Sequence, residues 1–287
     1  MNANLSRILD SCRNGDPVLM GILNVTPDSF SDGGSYIEPD LAVARAEKLI
    51  ADGADIIDIG AESTRPGADR VEASEQLDRI KDVMPAVCAA ADDVGAIVSI
   101  DTTRVQVAEF AVESGASIVN DVSAGRDDPD MLAFVAGNRC AVVLMHMLGE
   151  PATMQFNPEY SDVVSELNLF FEDRVRAAVD AGIDRDLCIL DPGIGFGKRL
   201  RDNLDLISNL SRFLGQGLPL LVGPSRKRFI GDISSLGSET ERLGGTIAAC
   251  LECFRNGATI FRVHDVAPIR ESLDVAALLA KNCSIHT

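Results

Sequence analysis

Eight short apolar runs punctuate the chain, at 18–24 (VLMGILN), 55–60 (DIIDIG), 96–101 (AIVSID), 117–121 (SIVND), 141–146 (AVVLMH), 187–191 (LCILD), 219–223 (PLLVG) and 259–264 (TIFRVH). Each has the length of a buried strand and falls well short of the roughly 18 apolar residues that a membrane span requires. Between them lie stretches such as DLAVARAEKLIADGA and VVSELNLFFEDRVRAAVDAG, in which apolar residues recur at three and four and a glycine stands near the end, as in amphipathic helices. Strand alternating with helix predicts parallel strands joined by crossovers. A length of 287 residues would suit two domains. However, eight such units with no linker or composition break predict an α/β fold of one kind, a single (β/α)8 TIM barrel. The predicted boundaries are a lead-in segment over 1–17, the barrel over 18–282 and a tail over 283–287.

In such a barrel the chemistry sits at the C-terminal ends of the strands. Here those ends carry Asn24, Glu62, Ser63, Asp101, Asn120, Asp121, His146, Asp191, Ser225 to Lys227, Arg262 and His264. A polar residue at one strand end simply closes the strand; carboxylates, amides and cations at every end of one mouth predict a catalytic site. The formal net charge of −18 makes nucleic acid and anionic membrane poor partners, so an anionic substrate must be held by local cations or a metal. Seven cysteines, an odd count mostly in apolar surroundings, predict reduced thiols and a cytoplasmic protein, with Cys250 and Cys253 read as structural. The first residues show no apolar export signal.

Several residues stand out on their chemistry alone. The loop after the first strand contains Asp28, Asp32 and a Gly-Gly pair, and is predicted to be long, polar and mobile. Arg262 and His264 are two apart on the last strand and share a face if the strand is regular, an arrangement suited to a diphosphate. Lys227 is one of only five lysines and stands at a strand end. His146 reads as a structural residue rather than a ligand, and STRPG, taken alone, as an ordinary turn.

Taken together, GILNVTPDSFSDGGSY at 21–36, AESTRPGA at 61–68, SIDTTR at 99–104, NDVSAG at 120–125, DPGIGFGK at 191–198, GPSRKRFIG at 223–231 and RVHDV at 262–266 resemble, in order and spacing, the dihydropteroate synthase family. The resemblance runs from about Leu19 to the last helix and implies the same barrel. It also implies transfer of the pterin-CH2 group of 6-hydroxymethyl-7,8-dihydropterin diphosphate onto 4-aminobenzoate, in folate synthesis. Asp101, Asn120, Asp191 and Lys227 match the pterin pocket. Asp191 can accept two hydrogen bonds from the amino-pyrimidinone edge, and Asp101 can stabilise positive charge on the ring. By the same resemblance Arg262, His264 and Asn24 hold the diphosphate, and Asn24 supplies the protein ligand to Mg2+. Phe30, Thr64 and Pro66 with Phe196, Ser225 and Lys227 form the aminobenzoate site, with Arg65 beside them and Gly223 at its edge. Asp32 joins Asp101 and Lys227 as a catalytic residue. A homodimer is implied, and LGGTIAACLECF at 243–254 is either a close-packing helix for the partner or an inner helix face. The rival readings are a pterin-binding methyltransferase domain, a Schiff-base aldolase using Lys227 and a non-catalytic pterin carrier.

Overall fold

The computed structural model describes residues 2–26, 39–63, 70–149, 153–234 and 238–283. Phe30, Asp32, Thr64, Arg65 and Pro66 lie outside the described residues. The chain opens with α1 (Ala3–Arg13) and continues through β1 (Val18–Asn24), α2 (Pro39–Ala51), β2 (Ile56–Gly60), α3 (Ala73–Ile80), α4 (Met84–Asp92) and β3 (Ile97–Asp101). Then come α5 (Val105–Glu113), β4 (Ile118–Asp121), α6 (Met131–Asn138), β5 (Ala141–Met145), α7 (Val163–Asp180), β6 (Cys188–Asp191) and α8 (Leu200–Ser208). The last part holds β7 (Leu221–Val222), α9 (Arg228–Ser234), α10 (Leu243–Arg255), β8 (Ile260–Val263) and α11 (Val266–Cys283). All named strand pairings are parallel, in the order β6-β5-β4-β3-β2-β1-β8-β7, and a bridge between Leu190 and Leu220 closes the ring as a TIM barrel.

Each predicted apolar run contains one of these strands. The largest difference is at 219–223, where only Leu221–Val222 is strand. Pro219 has no N–H to give a ladder and contributes only its carbonyl, which accepts from Leu190 N at 2.9 Å. The lead-in segment is part of the core. Leu5, Ile8, Leu9 and Cys12 of α1 are buried with the strands, and Asn2, Arg7 and Arg13 hydrogen-bond Ser117, Gly95 and Asp186, residues that precede β4, β3 and β6. Helix α1 therefore covers the N-terminal face and leaves the opposite face for chemistry.

The small-residue helix turns inward. Thr246, Cys250 and Cys253 of α10 are buried, and a Cβ on Gly245 would come within 2.2 Å of Ile230. Of the two readings of LGGTIAACLECF, the inner helix face describes these side chains. Cys12, Cys88, Cys140, Cys188, Cys250 and Cys253 are free and buried. No helix among the described residues is long and apolar enough to cross a membrane.

Strand register does much of the work of placing polar groups. Asn24 pairs with Gly60, Gly60 with Asp101 and Asp101 with Asn120, so four neighbouring strands present one rung at the mouth. One inward position below it, Ile22, Asp58 and Ser99 form the next.

Candidate active site

The floor of the mouth is a buried ionic cluster. Arg262 donates from Nε to Asp58 Oδ2 at 2.6 Å and from Nη2 to Asp101 Oδ2 at 2.8 Å. Asn120 Nδ2 donates to the same Asp58 oxygen at 3.1 Å. Burial pushes the Asp101 carboxyl up to about 7; the Arg262 cation pulls it down, while the negative charges of Asp58, Glu62 and Asp121 add to the rise. Two of the five guanidinium N–H groups are thus committed, and Arg262 keeps three for a ligand.

Asp191 ends β6 and starts a tight loop. Its Oδ1 accepts from Gly193 N at 2.7 Å, and burial raises its carboxyl to about 6 against the pull of that N–H and of Lys227, Lys198 and Arg262. Lys198 closes the loop from behind, donating to His146 Nδ1 at 3.1 Å, His146 O at 3.2 Å and Phe196 O at 3.0 Å. Burial lowers its ammonium to about 7. His146, held near 2 first by burial and then by the Lys198 charge, is the neutral acceptor this arrangement needs. It acts as a tie between the loops after β5 and β6.

Gly193 has a left-handed φ of 62°, and a Cβ there would stand 2.0 Å from the His146 carbonyl oxygen. Gly193→Ala is expected to weaken ligand binding in this pocket by about 100-fold, because the loop carrying Phe196 must shift by about 1 Å. Gly217→Ala is the control: its φ is 64° but nothing lies within 4 Å of the new Cβ. Calorimetric titration of both variants with the pterin that the sequence resemblance implies separates the close approach from the backbone strain. Equal behaviour of the two would show that the His146 contact has no bearing on the pocket.

Beyond this loop, Lys227 Nζ lies 3.8 Å above the centre of the Phe196 ring, a cation–π contact that holds both at the rim. Val122, Met145, Met147 and Met154 form a separate apolar cluster with Phe196 packed on it, which gives the cleft one wall suited to a flat ring. The segment 225–227 is pinned from outside: Arg226, at φ 59°, donates from its backbone N to Thr246 and from its side chain to both Asp265 oxygens, at 3.0 and 2.6 Å. Its neighbours Ser225 and Lys227 both line the cleft.

Ser225 and His264 are coupled. His264 N donates to Ser225 Oγ at 3.3 Å, and the same hydroxyl lies 3.0 Å from His264 Nδ1, where it donates when the ring carries its proton on Nε2 and accepts when the proton is on Nδ1. In the first tautomer the imidazole presents its Nε2–H to the cleft as a donor. It is neutral, because burial and then the Arg226 and Arg262 charges hold it near 3. The sequence spacing predicted a phosphate-binding pair at 262 and 264; here one member is a cation already shared by two carboxylates and the other an uncharged donor. The Ser225 hydroxyl, expected to serve the carboxylate of a substrate, is in hydrogen-bond contact with the His264 ring.

Asn24, Asp101, Asn120, Asp191, Phe196, Gly223, Ser225, Lys227, Arg262 and His264 all line one cleft of about 1120 Å³ at the C-terminal ends of the strands. That volume exceeds the roughly 300 to 1,000 Å³ of a small-molecule pocket and leaves room for two ligands side by side. Two buried residues escaped the sequence reading. Asp58 sits in an isoleucine-rich strand and Lys198 in a glycine-rich loop, and the only signal for either was a charge inside an apolar or tightly turning segment. Among the described residues no group of three or more His, Cys, Asp or Glu is placed to hold a metal ion. Asn24 offers an amide oxygen across Gly60 from Asp101, since a Cβ at Gly60 would lie 3.7 Å from Asn24 Oδ1 and 3.8 Å from Asp101 Oδ2.

Residues 20–264 match the model of the family described as pterin binding enzyme. The Escherichia coli K12 protein named dihydropteroate synthase is 44% identical over 267 residues, covering 92% of this chain and 93% of its own. A structure of Xanthomonas albilineans dihydropteroate synthase with 4-aminobenzoic acid superposes with a TM-score of 0.86 at 43% identity, over 92% of this chain and 93% of that one. A structure of the Xanthomonas albilineans protein in complex with 7,8-dihydropteroate gives a TM-score of 0.82 at 40% identity, over 92% and 94%.

Proposed function

The chain belongs to the pterin binding enzyme family, among the dihydropteroate synthases, and from that membership we propose the part each residue of the cleft takes in joining 4-aminobenzoate to the pterin. The reaction forms a bond from the aniline nitrogen to the pterin methylene carbon. The carbon–oxygen bond to diphosphate breaks, its electron pair leaves with diphosphate, and the amine proton passes to solvent. No nucleophilic side chain is needed, so the protein's work is positioning and charge stabilisation. The observation that carries the reading is the convergence of Asp101, Asn120, Asp191, Lys227, Arg262 and His264 on one cleft beside an apolar wall.

Asp191 receives the amino-pyrimidinone edge, with Asn120 beside it. Lys227 donates to the ring oxygen or N5, and Asp101 balances positive charge as the leaving group departs. The Nε2–H of His264, the free N–H groups of Arg262 and the amide of Asn24 hold the diphosphate. Mg2+ fits this donor set, since the ion keeps water and phosphate oxygens and takes few protein ligands. When bound it neutralises charge on the leaving diphosphate. Phe196, Gly223 and Ser225 border the aminobenzoate site; Phe30, Thr64, Arg65 and Pro66 complete it and Asp32 assists catalysis on the strength of the sequence resemblance. We assign a cytoplasmic homodimer, supported by the free buried thiols and by exposed Val275, Leu278 and Leu279 on α11, apolar surface that a second copy can cover. Sedimentation at working concentration measures the oligomer directly.

The aldolase reading fares worse on geometry. An amine seated on the Phe196 ring face favours its protonated form, which is not a nucleophile. The methyltransferase reading leaves the donors of Arg262 and His264 without a purpose. Diphosphate release from the pterin diphosphate is expected to require both 4-aminobenzoate and Mg2+. Release that ignores aminobenzoate, or none at all, would overturn the assignment.

A further inference from the structure

Asp58 lies one inward position below the mouth on β2, and no step described above uses it. Its side chain is 0% exposed. Oδ2 accepts from Arg262 Nε at 2.6 Å and from Asn120 Nδ2 at 3.1 Å, whereas Oδ1 has no hydrogen-bond partner. A buried carboxylate with one unpartnered oxygen destabilises a barrel interior that an apolar side chain of similar size would fill better. Packing therefore does not account for Asp58, and its two directed contacts do.

We propose that Asp58 is a positioning residue that sets the hydrogen-bonding polarity of the pterin pocket before substrate arrives, an inference that rests on the pterin pocket assigned under the proposed function. A carboxylate only accepts, so it compels Asn120 to turn its NH2 end downward and leaves the amide oxygen and one N–H for the ligand. Without that acceptor the amide is free to rotate by half a turn, which exchanges donor for acceptor at the ring edge. The same oxygen takes Nε of Arg262, while Asp101 takes Nη2, and the two bonds together fix the plane of the guanidinium. Asn120 is 62 residues from Asp58 and Arg262 is 204, yet both take their orientation from one atom. Among the described residues the hydrogen bonds of the Asp58 side chain go to Asn120 and Arg262 and not to Phe196, Gly223 or Ser225, which border the aminobenzoate side.

The test uses the full chain carrying Asp58→Leu or Asp58→Asn. Leucine removes both contacts and keeps the branching at Cγ in a larger, apolar side chain; asparagine keeps an oxygen that can accept from both donors. For Asp58→Leu the KM for pterin diphosphate is expected to rise by about 10- to 100-fold, as when other outer partners of site residues are removed. The KM for aminobenzoate stays unchanged, the melting temperature does not fall, and Asp58→Asn recovers most of the loss. If the leucine variant does not fold, Asp58→Ser, which can donate as well as accept, is measured in the same way. An equal rise in both KM values with a lower melting temperature, or an unchanged KM for the pterin, would overturn the proposal. Failure of the wild-type chain to release diphosphate would instead overturn the functional assignment, so the two are distinguishable.

Discussion

Arg262→Met is expected to lower the stability of the folded chain by about 3 to 5 kcal/mol, because it leaves two buried carboxylates beside each other without their cation. The Arg262 side chain is 19% exposed and its partners Asp58 and Asp101 only 0% and 7%, so solvent screens little of this interaction. The loss should depend on pH in a defined direction. Asp101 is raised to about 7 even with Arg262 beside it, and Arg262 is what pulls it down. A carboxyl whose folded value lies above its unfolded one binds more protons when folded, so stability falls as pH rises from about 4 to about 7. Removing Arg262 lifts Asp101 further, and protonation then relieves the repulsion. The gap between variant and wild type in urea unfolding should accordingly be widest near pH 8 and narrow toward pH 5. Combining Arg262→Met with Asp58→Leu replaces the pair by apolar groups and should recover much of the stability while leaving the enzyme inactive. A double variant no more stable than Arg262→Met alone would mean that Asp58 is not the source of the loss.

The same cluster shows why some of this protein is legible in its sequence and some is not. Buried parallel strands need short apolar runs rich in Val, Ile and Leu, and eight of those are visible because they alternate with longer stretches of helical periodicity; wholly apolar runs such as MLAFVA at 131–136 fall inside helices. The strand ends are legible too, since a polar residue after such a run faces the mouth in a barrel of this kind. What does not transfer is pairing across the barrel. Both faces of a barrel strand are buried, so the run DIIDIG does not reveal that Asp58 points inward or that it meets an arginine 204 residues away. Charge state is equally hidden. His264 reads as half of a cationic pair, yet burial and two neighbouring arginines hold its imidazole neutral, and its usefulness comes from which nitrogen carries the proton. Lys198 stands in the glycine-rich segment DPGIGFGK, and nothing beside it in the sequence marks it as buried. Only the fold shows that Gly193 lets the loop close on the His146 carbonyl, with the Lys198 ammonium inside.

Asp191→Asn is expected to weaken pterin binding by roughly 2 to 4 kcal/mol, the scale of a buried charge-assisted contact that is lost and leaves its partner donors unpaired. An ionised carboxylate can accept from the amino group and the ring N–H of the pterin together, whereas an amide has one oxygen and would set an NH2 against a donor. Size is nearly unchanged, and Gly193 N can still donate to the amide oxygen, so the loop itself should survive. The wild type must then bind pterin more tightly as pH rises through about 6, where burial holds the free Asp191 carboxyl. The sign follows from linkage. A ligand that binds only the ionised form loses affinity tenfold per pH unit below that value and is insensitive to it above. Asp101, near 7, titrates on the alkaline side and gives a second dependence that the variant keeps, whereas Lys198, also near 7, falls in the variant because the Asp191 charge that raises it is gone. Calorimetry of a pterin without phosphates, from pH 5 to pH 8, should show the limb near 6 in the wild type and its absence in Asp191→Asn. If the variant keeps both full affinity and the limb near 6, the amino-pyrimidinone edge is held elsewhere, and Asp101, a carboxylate that lines the same cleft, is the next to test.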